Sequence, residues 1–139
     1  MSDSRPSDEQ VIDFQLLKVK LEQLEKLLKE KRADELIGIP TLDGFDFIKV
    51  NEIIRCEGLQ KCTRIVTTSK TDIISSYNIG EFRKLLEPYC FFSPHKSHLI
   101  NLTFLKKYKR EGTIVLRDNS CIPVSKRKKC EFLEVIIHL

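Results

Sequence analysis

The sequence predicts a mainly β domain with short helices, preceded by an amphipathic N-terminal helix. Three observations predict it. From Phe45 to Val124 the chain runs in short segments rich in β-branched and aromatic residues, separated by turn clusters. Helical periodicity occurs only near residues 9–32, near 79–87 and at the C-terminal end. The chain has 139 residues and is 41% hydrophobic, enough for one domain with a real core plus an appendage.

The elements follow in order. Residues 1–9 are polar and read as a mobile start. From Glu9 to Arg32 no Gly or Pro interrupts a helix, and Phe14, Leu17, Leu21, Leu24 and Leu28 alternate spacings of three and four. That is the seam of a short coiled coil. Glu22–Lys26 and Glu25–Lys29 add favourable pairs on its outer face. The seam suits either a dimer or interdomain contact, or packing on the helix's own domain, because so short a helix needs a partner surface.

Gly38 and Pro40 read as the end of this region, so residues 1–38 form a flexible start and a linker or dimerisation helix, and 39–139 the domain proper. Phe45–Val50 and Ile53–Glu57 read as strands, followed by the loop Gly58 to Lys61. Cys62–Thr68 and Ile73–Tyr77 form a hairpin around Ser69–Asp72. Asn78 and Glu81 have capping-box spacing. Ile79, Phe82, Leu85 and Leu86 then keep helical spacing until Pro88 stops the helix. Phe104–Arg110 and Thr113–Leu116 read as strands around Glu111-Gly112. Asp118-Asn119 reads as a turn and Cys121–Val124 as the last strand. Ser125 is placed to cap a final helix carrying Phe132, Leu133, Ile136 and Ile137.

Charge is uneven. Residues 1–46 carry 7 basic and 11 acidic side chains, whereas residues 93–139 carry 10 and 4. The basic end is the expected partner face, with nucleic acid its commonest partner and a merely solvated lysine-rich surface the alternative. Cys56, Cys62, Cys90, Cys121 and Cys130 make an odd set without a Cys-x-x-Cys pair. With no signal-peptide pattern and no run of membrane-spanning length, the reading is a cytoplasmic protein using cysteine as a small hydrophobe.

Little in the chain points to catalysis or metal. There is no Gly-rich phosphate loop. Cys90 near His95 lacks an orienting third group at a recognisable spacing. His95-x-x-His98 is half of a zinc pattern whose second pair is missing. The expectation is therefore no enzyme, no metal and no cofactor. His138 reads as an ordinary surface residue.

Two clusters fit an anionic polymer instead. Lys126, Arg127, Lys128 and Lys129 follow Ser125 at once. Cations at a helix start oppose its dipole, an arrangement that makes sense if an external phosphate fills the site. The segment from Phe91 to Asn101 contains His95, Lys96, Ser97 and His98, whose donors and acceptors can address base edges. Phe91, Phe92, Leu99, Ile100 and Leu102 would hold that segment on the core. Asn101, between apolar residues, suits backbone hydrogen bonding better than DNA contact.

These parts, in this order from about Phe47 to Leu133, resemble the LytTR family of DNA-binding domains. Phe91–Asn101 is similar to the family's Phe-x-Arg-x-His-Lys/Arg-Ser-x-Leu/Ile-Ile/Val-Asn segment, and the turn Asp118-Asn119 and Pro123-Val124-Ser125-Lys126-Arg127 follow as in the family. The resemblance implies an elongated fold of about ten strands in small antiparallel sheets, which docks loops into successive major grooves. It implies double-stranded DNA as partner, often as promoter direct repeats, and a role as the output domain of a bacterial two-component response regulator. DNA contact would fall on Lys61 and Cys62, on His95, Lys96 and His98, and on Lys126, Arg127 and Lys128. A receiver domain would precede residues 1–38 in such a regulator, although Met1 equally suits a stand-alone protein. Three positions depart from the pattern: Ser93 where Arg is usual, Lys61-Cys62 where Asn-Tyr is frequent, and Lys126 where Arg is common. Lys and Arg are not equivalent at a bidentate site, so base preference is expected to differ. The reading from another class is a protein-interaction or dimerisation module that uses the Phe14–Leu28 seam.

Overall fold

A computed structural model describes residues 8–137, with side chains at 14–27 and 33–137. The start of the chain, the Leu28 side chain and His138 lie outside the described residues. Helix α1 (Asp8–Arg32) leads into a two-stranded ribbon, β1 (Leu36–Thr41) and β2 (Gly44–Lys49). The β1 strand runs through Gly38 and Pro40, where the sequence reading ended the helical region. It is irregular in composition, and its partner β2 supplies the ladder that defines it.

A 3-10 turn, Val50–Glu52, passes the chain to β3 (Ile53–Gly58), β4 (Thr63–Thr67) and β5 (Ile73–Ser75). Next come helix α2 (Ile79–Leu86), β6 (Phe91–His95) and β7 (His98–Asn101). These five strands form one antiparallel sheet in the order β5-β4-β3-β7-β6. After a 3-10 turn, Leu102–Phe104, strands β8 (Leu105–Lys109), β9 (Thr113–Leu116) and β10 (Cys121–Pro123) form a second sheet. A last 3-10 turn, Lys126–Lys128, precedes helix α3 (Lys129–Ile137). The chain is thus mainly β, with ten strands in small antiparallel sheets among the described residues.

The strand period of two, interrupted in β3 by a register shift between Ile53 and Arg55 that puts Ile54 and Cys56 on opposite faces, accounts for the packing. Cys56, Ile65 and Leu99 face one side of the five-stranded sheet and pack with Phe82 and Leu86 of α2 and with Ile39 of β1. Ile54, Phe92 and Ile100 belong to a second core, with Ile114, Leu116 and Ile122 of the smaller sheet and Phe132 of α3. The central sheet is therefore sandwiched, and each core contains a fully buried phenylalanine. Removing either ring would cost about 3–5 kcal/mol.

Asn78 caps α2: the Glu81 amide donates to Asn78 Oδ1 at 3.2 Å, which is the N-cap half of the expected capping box. The Asp118-Asn119 turn is also present, with Asn119 at φ 68°, a left-handed conformation that Asn tolerates. The Phe91–Asn101 segment is a hairpin of β6 and β7, turning at Lys96-Ser97. Pro94 can sit in β6 because this is an edge strand, and the register shifts between Phe92 and His95.

The expected cap at Ser125 takes a different form. Its side chain makes no capping bond, and its carbonyl instead accepts from the Lys128 amide at 2.9 Å. The basic run is a 3-10 turn, and α3 starts one residue beyond it. Four consecutive cations raise the cost of the first α turn, and the tighter turn satisfies the backbone locally.

Candidate nucleic-acid interface

Three loops distant in sequence meet at one end of the central sheet. The β3–β4 loop starts where β3 ends, and β7 begins beside the same point, since Glu57 pairs with His98. The Gly58 amide donates to the Ser97 carbonyl at 2.8 Å, which joins this loop to the β6–β7 turn. The Ser125 amide donates to the Pro94 carbonyl at 2.9 Å, which joins the Lys126–Lys128 turn to β6. Lys61 and Cys62 therefore share this end with His95, Lys96 and His98, and with Lys126, Arg127 and Lys128.

The members differ in what they can offer. Lys96, Lys126 and Arg127 are all exposed in their turns. Lys128 is engaged already: its Nζ lies 3.1 Å from Glu131 Oε2 and 5.9 Å from the Phe92 ring centroid. Lys129 Nζ donates to the Glu111 carbonyl at 3.3 Å and so braces the β8–β9 turn. Gly112 sits in that turn at φ 104°, and a Cβ there would meet Lys129 Cε at 2.6 Å. Lys61 is exposed, but it lines an open cleft of about 460 Å³ with Asp43, Asp46 and Asp72, which weaken the positive field there.

The β6–β7 turn is tightly specified. The Ser97 amide donates to His95 Nδ1 at 3.2 Å, so Nδ1 is the acceptor and Nε2 carries the proton in the neutral ring. That leaves Nε2–H as the ring's donor. The His95 and His98 rings are 5.6 Å apart between centroids. His98 is half-buried, and burial, chiefly, lowers its pKa below the usual histidine value, with His95 and Arg55 adding to the shift and Glu57 opposing it. Its Nδ1 is buried without a hydrogen-bond partner.

Behind the turn the register lines up Arg64, Glu57 and His98 across β4, β3 and β7. Glu57 Oε2 lies 3.3 Å from Arg55 Nη1 and 3.6 Å from Arg64 Nη1. Sequence reading missed these three charges, because only strand pairing brings residues 55, 57 and 64 beside 98. It also missed Arg83 of α2, whose Nε donates to Ser93 Oγ at 3.0 Å. Arg83 Nη2 donates to the His95 carbonyl at 3.4 Å and also to that of Lys96. Nothing in the spacing of Arg83 signals this.

Asn101 behaves as the sequence suggests. Its Nδ2 donates to the Ile53 carbonyl at 2.9 Å, and its Oδ1 accepts from the Thr103 amide at 3.1 Å. Among the described residues no three His, Cys, Asp or Glu side chains are grouped to hold a metal. All five cysteines are free, and burial pushes the Cys56 thiol up to about 12, far from a reactive thiolate.

The seam of α1 is not covered by the domain: Phe14, Leu17, Leu21 and Leu24 are 69%, 54%, 51% and 54% exposed. The reading in which the helix packs on its own domain is therefore not what this structure shows.

Comparison with known proteins agrees with this geometry. No curated protein matches the chain. A solved structure of a LytTr DNA-binding domain, from a Bacillus cereus protein described as a methyl-accepting/DNA response regulator, superposes with a TM-score of 0.61. It is 21% identical, covering 73% of this chain and 95% of that one, so the likeness is one of fold. A family model, the LytTr DNA-binding domain, matches residues 43–137. With three loops joined at one sheet end, ten strands in small antiparallel sheets and that match over most of its length, the chain belongs to the LytTr DNA-binding domain family.

Proposed function

We propose that the chain reads specific sequences in duplex DNA as the output domain of a two-component transcription regulator in bacteria. The observation that carries this reading is the joining of the three loops by the Gly58–Ser97 and Ser125–Pro94 hydrogen bonds. Loops fixed to one another can enter successive grooves as one body, whereas loops moving independently would lose that entropy on binding. Lys126 and Arg127 hold phosphates, and Lys128 contributes less because Glu131 is beside it. His95, through its Nε2 proton, and Lys96 address base edges, with His98 supporting the turn behind them. Lys61 and Cys62 contact the neighbouring backbone.

The exposed α1 seam supports pairing of two copies through Phe14, Leu17, Leu21, Leu24 and Leu28, which suits paired sites such as promoter direct repeats. In this reading residues 1–38 link the DNA-binding part, 39–139, to a receiver domain in a cytoplasmic protein. No helix among the described residues is long and apolar enough to cross a membrane. The same seam supports the second reading, a protein-interaction module without specific DNA binding.

Selection of duplexes from a random pool, followed by anisotropy titrations at several salt concentrations, separates the two. Expected are an enriched sequence and tighter binding to it than to random duplex. No binding at low salt to any duplex in the pool would leave only the interaction module.

A further inference from the structure

We infer that Arg83 is a positioning residue for DNA recognition, acting from α2 through the β6–β7 turn. The inference rests on the reading that this turn addresses bases. A guanidinium presents its donors in a rigid planar fork. Here that fork spans the turn at three acceptors: Ser93 Oγ, the His95 carbonyl and the Lys96 carbonyl. Both carbonyls belong to the residues proposed to address the bases.

Ser93 completes the arrangement from inside the hairpin. Its hydroxyl lies 3.1 Å from the His95 carbonyl and 3.0 Å from the His98 carbonyl, and it has one proton to give them. Arg83 supplies the donors that a single hydroxyl cannot. The turn's peptide groups are thus held from beneath, while the side chains of His95 and Lys96 remain on the other bonds of the same residues. Ser93 stands where the motif usually has Arg, and in this chain the guanidinium reaches the hairpin from α2 instead.

The helix itself is fixed. Phe82 and Leu86, on either side of Arg83, are buried against β3 and β7. The Asn78 cap holds the first turn. Arg83 therefore transmits the position of a packed helix to a two-residue turn, which would otherwise sample several conformations before binding. Its guanidinium also places positive charge beneath the same turn. Lysine could keep that charge but cannot engage three acceptors in a plane.

The test compares Arg83→Ala and Arg83→Lys with wild type on two probes: the duplex that wild type selects from a random pool, and an unselected random duplex. Amide hydrogen exchange at Ser97 and Gly58 reports on the turn. Expected for both variants is an affinity loss of about tenfold on the selected duplex, within twofold on the random one, with faster exchange at Ser97. Unchanged affinity of Arg83→Lys for the selected duplex overturns the inference, because charge alone then suffices. So does an equal loss on both duplexes. If Arg83→Ala fails to fold, Arg83→Lys and Arg83→Gln carry the same comparison, since both retain the aliphatic stem. Lys96→Ala separates the two levels. Discrimination lost in Lys96→Ala but kept in the Arg83 variants overturns the positioning role alone. Discrimination kept in Lys96→Ala and in His95→Ala overturns the reading of the turn, and the inference with it.

Discussion

The Ser125 amide donates to the Pro94 carbonyl at 2.9 Å, across thirty-odd residues of sequence. Pro94 lacks an N–H of its own, but its carbonyl remains available, and its ring is fully buried. One hydrogen bond thereby fixes the Lys126–Lys128 turn against the hairpin that carries His95 and Lys96. The spacing of the two basic clusters is set by this bond and by the Phe92–Phe132 contact, with ring centroids 5.5 Å apart, rather than by flexible linkers.

The cations should contribute unequally. Each phosphate contact adds about −0.9 to the slope of log K against log[salt]. Lys126→Ala and Arg127→Ala are each expected to flatten the slope by about one unit. Lys128→Ala should change it by less, because the Lys128 ammonium already has Glu131 at 3.1 Å. Titrations of the three variants on random duplex check this. Equal effects from all three would show that the Lys128–Glu131 pair opens on binding.

If two copies pair through the seam as proposed, replacing Leu21 and Leu24 together by Glu leaves a monomer without lowering the melting temperature of the β domain. Both side chains are about half exposed and belong to neither core of the domain. Sedimentation and a thermal melt on the double variant decide it. A lower melting temperature at unchanged mass would mean that the seam packs within one chain.

Stability should fall with acidification below the ordinary histidine range. Burial of His98 lowers its pKa from 6.5 in the fold, so the unfolded chain binds the proton more readily. This contribution is fully present above about 6.5 and is lost as pH falls from there through the lowered folded value. Protonation at Nδ1 would also place a donor where no acceptor stands. His98→Gln should reduce the drop in melting temperature between pH 7.5 and pH 5, conditions set about the unperturbed value of roughly 6.5. A variant with the same drop as wild type would assign the acid sensitivity elsewhere.

Asn101→Ala should destabilise the fold by about 1–3 kcal/mol, since it leaves the buried Ile53 carbonyl without its donor. Denaturant melts measure this. DNA discrimination by the folded fraction should be unchanged, because Asn101 is buried at the far end of β7 from the turn.

Local chemistry made much of this protein legible in advance. The α2 cap, the Asp118-Asn119 turn, most strands and the role of Asn101 follow from side-chain types at short spacing, where a hydrogen bond or a steric preference acts within a few residues. The long motif around His95 added the family. Strand β1 was not legible, because Leu36–Thr41 contains Gly38 and Pro40 and is a strand only through β2. The 3-10 form of the basic turn was equally hidden, since crowding of four cations competes with the helical pattern that follows.

What only the tertiary structure decided is proximity. The sequence by itself determined that His95-Lys96 and Lys126-Arg127 are polar, basic and flanked by apolar anchors. It could not say that they stand side by side, because the Ser125–Pro94 bond depends on two sheets packing around Phe92, Ile100 and Phe132. Nor could it bring Arg83 to Ser93, or line Arg64, Glu57 and His98 in one row. Those neighbours are chosen by strand register and helix packing, which add up apolar burial over the whole chain and leave no mark at any single position.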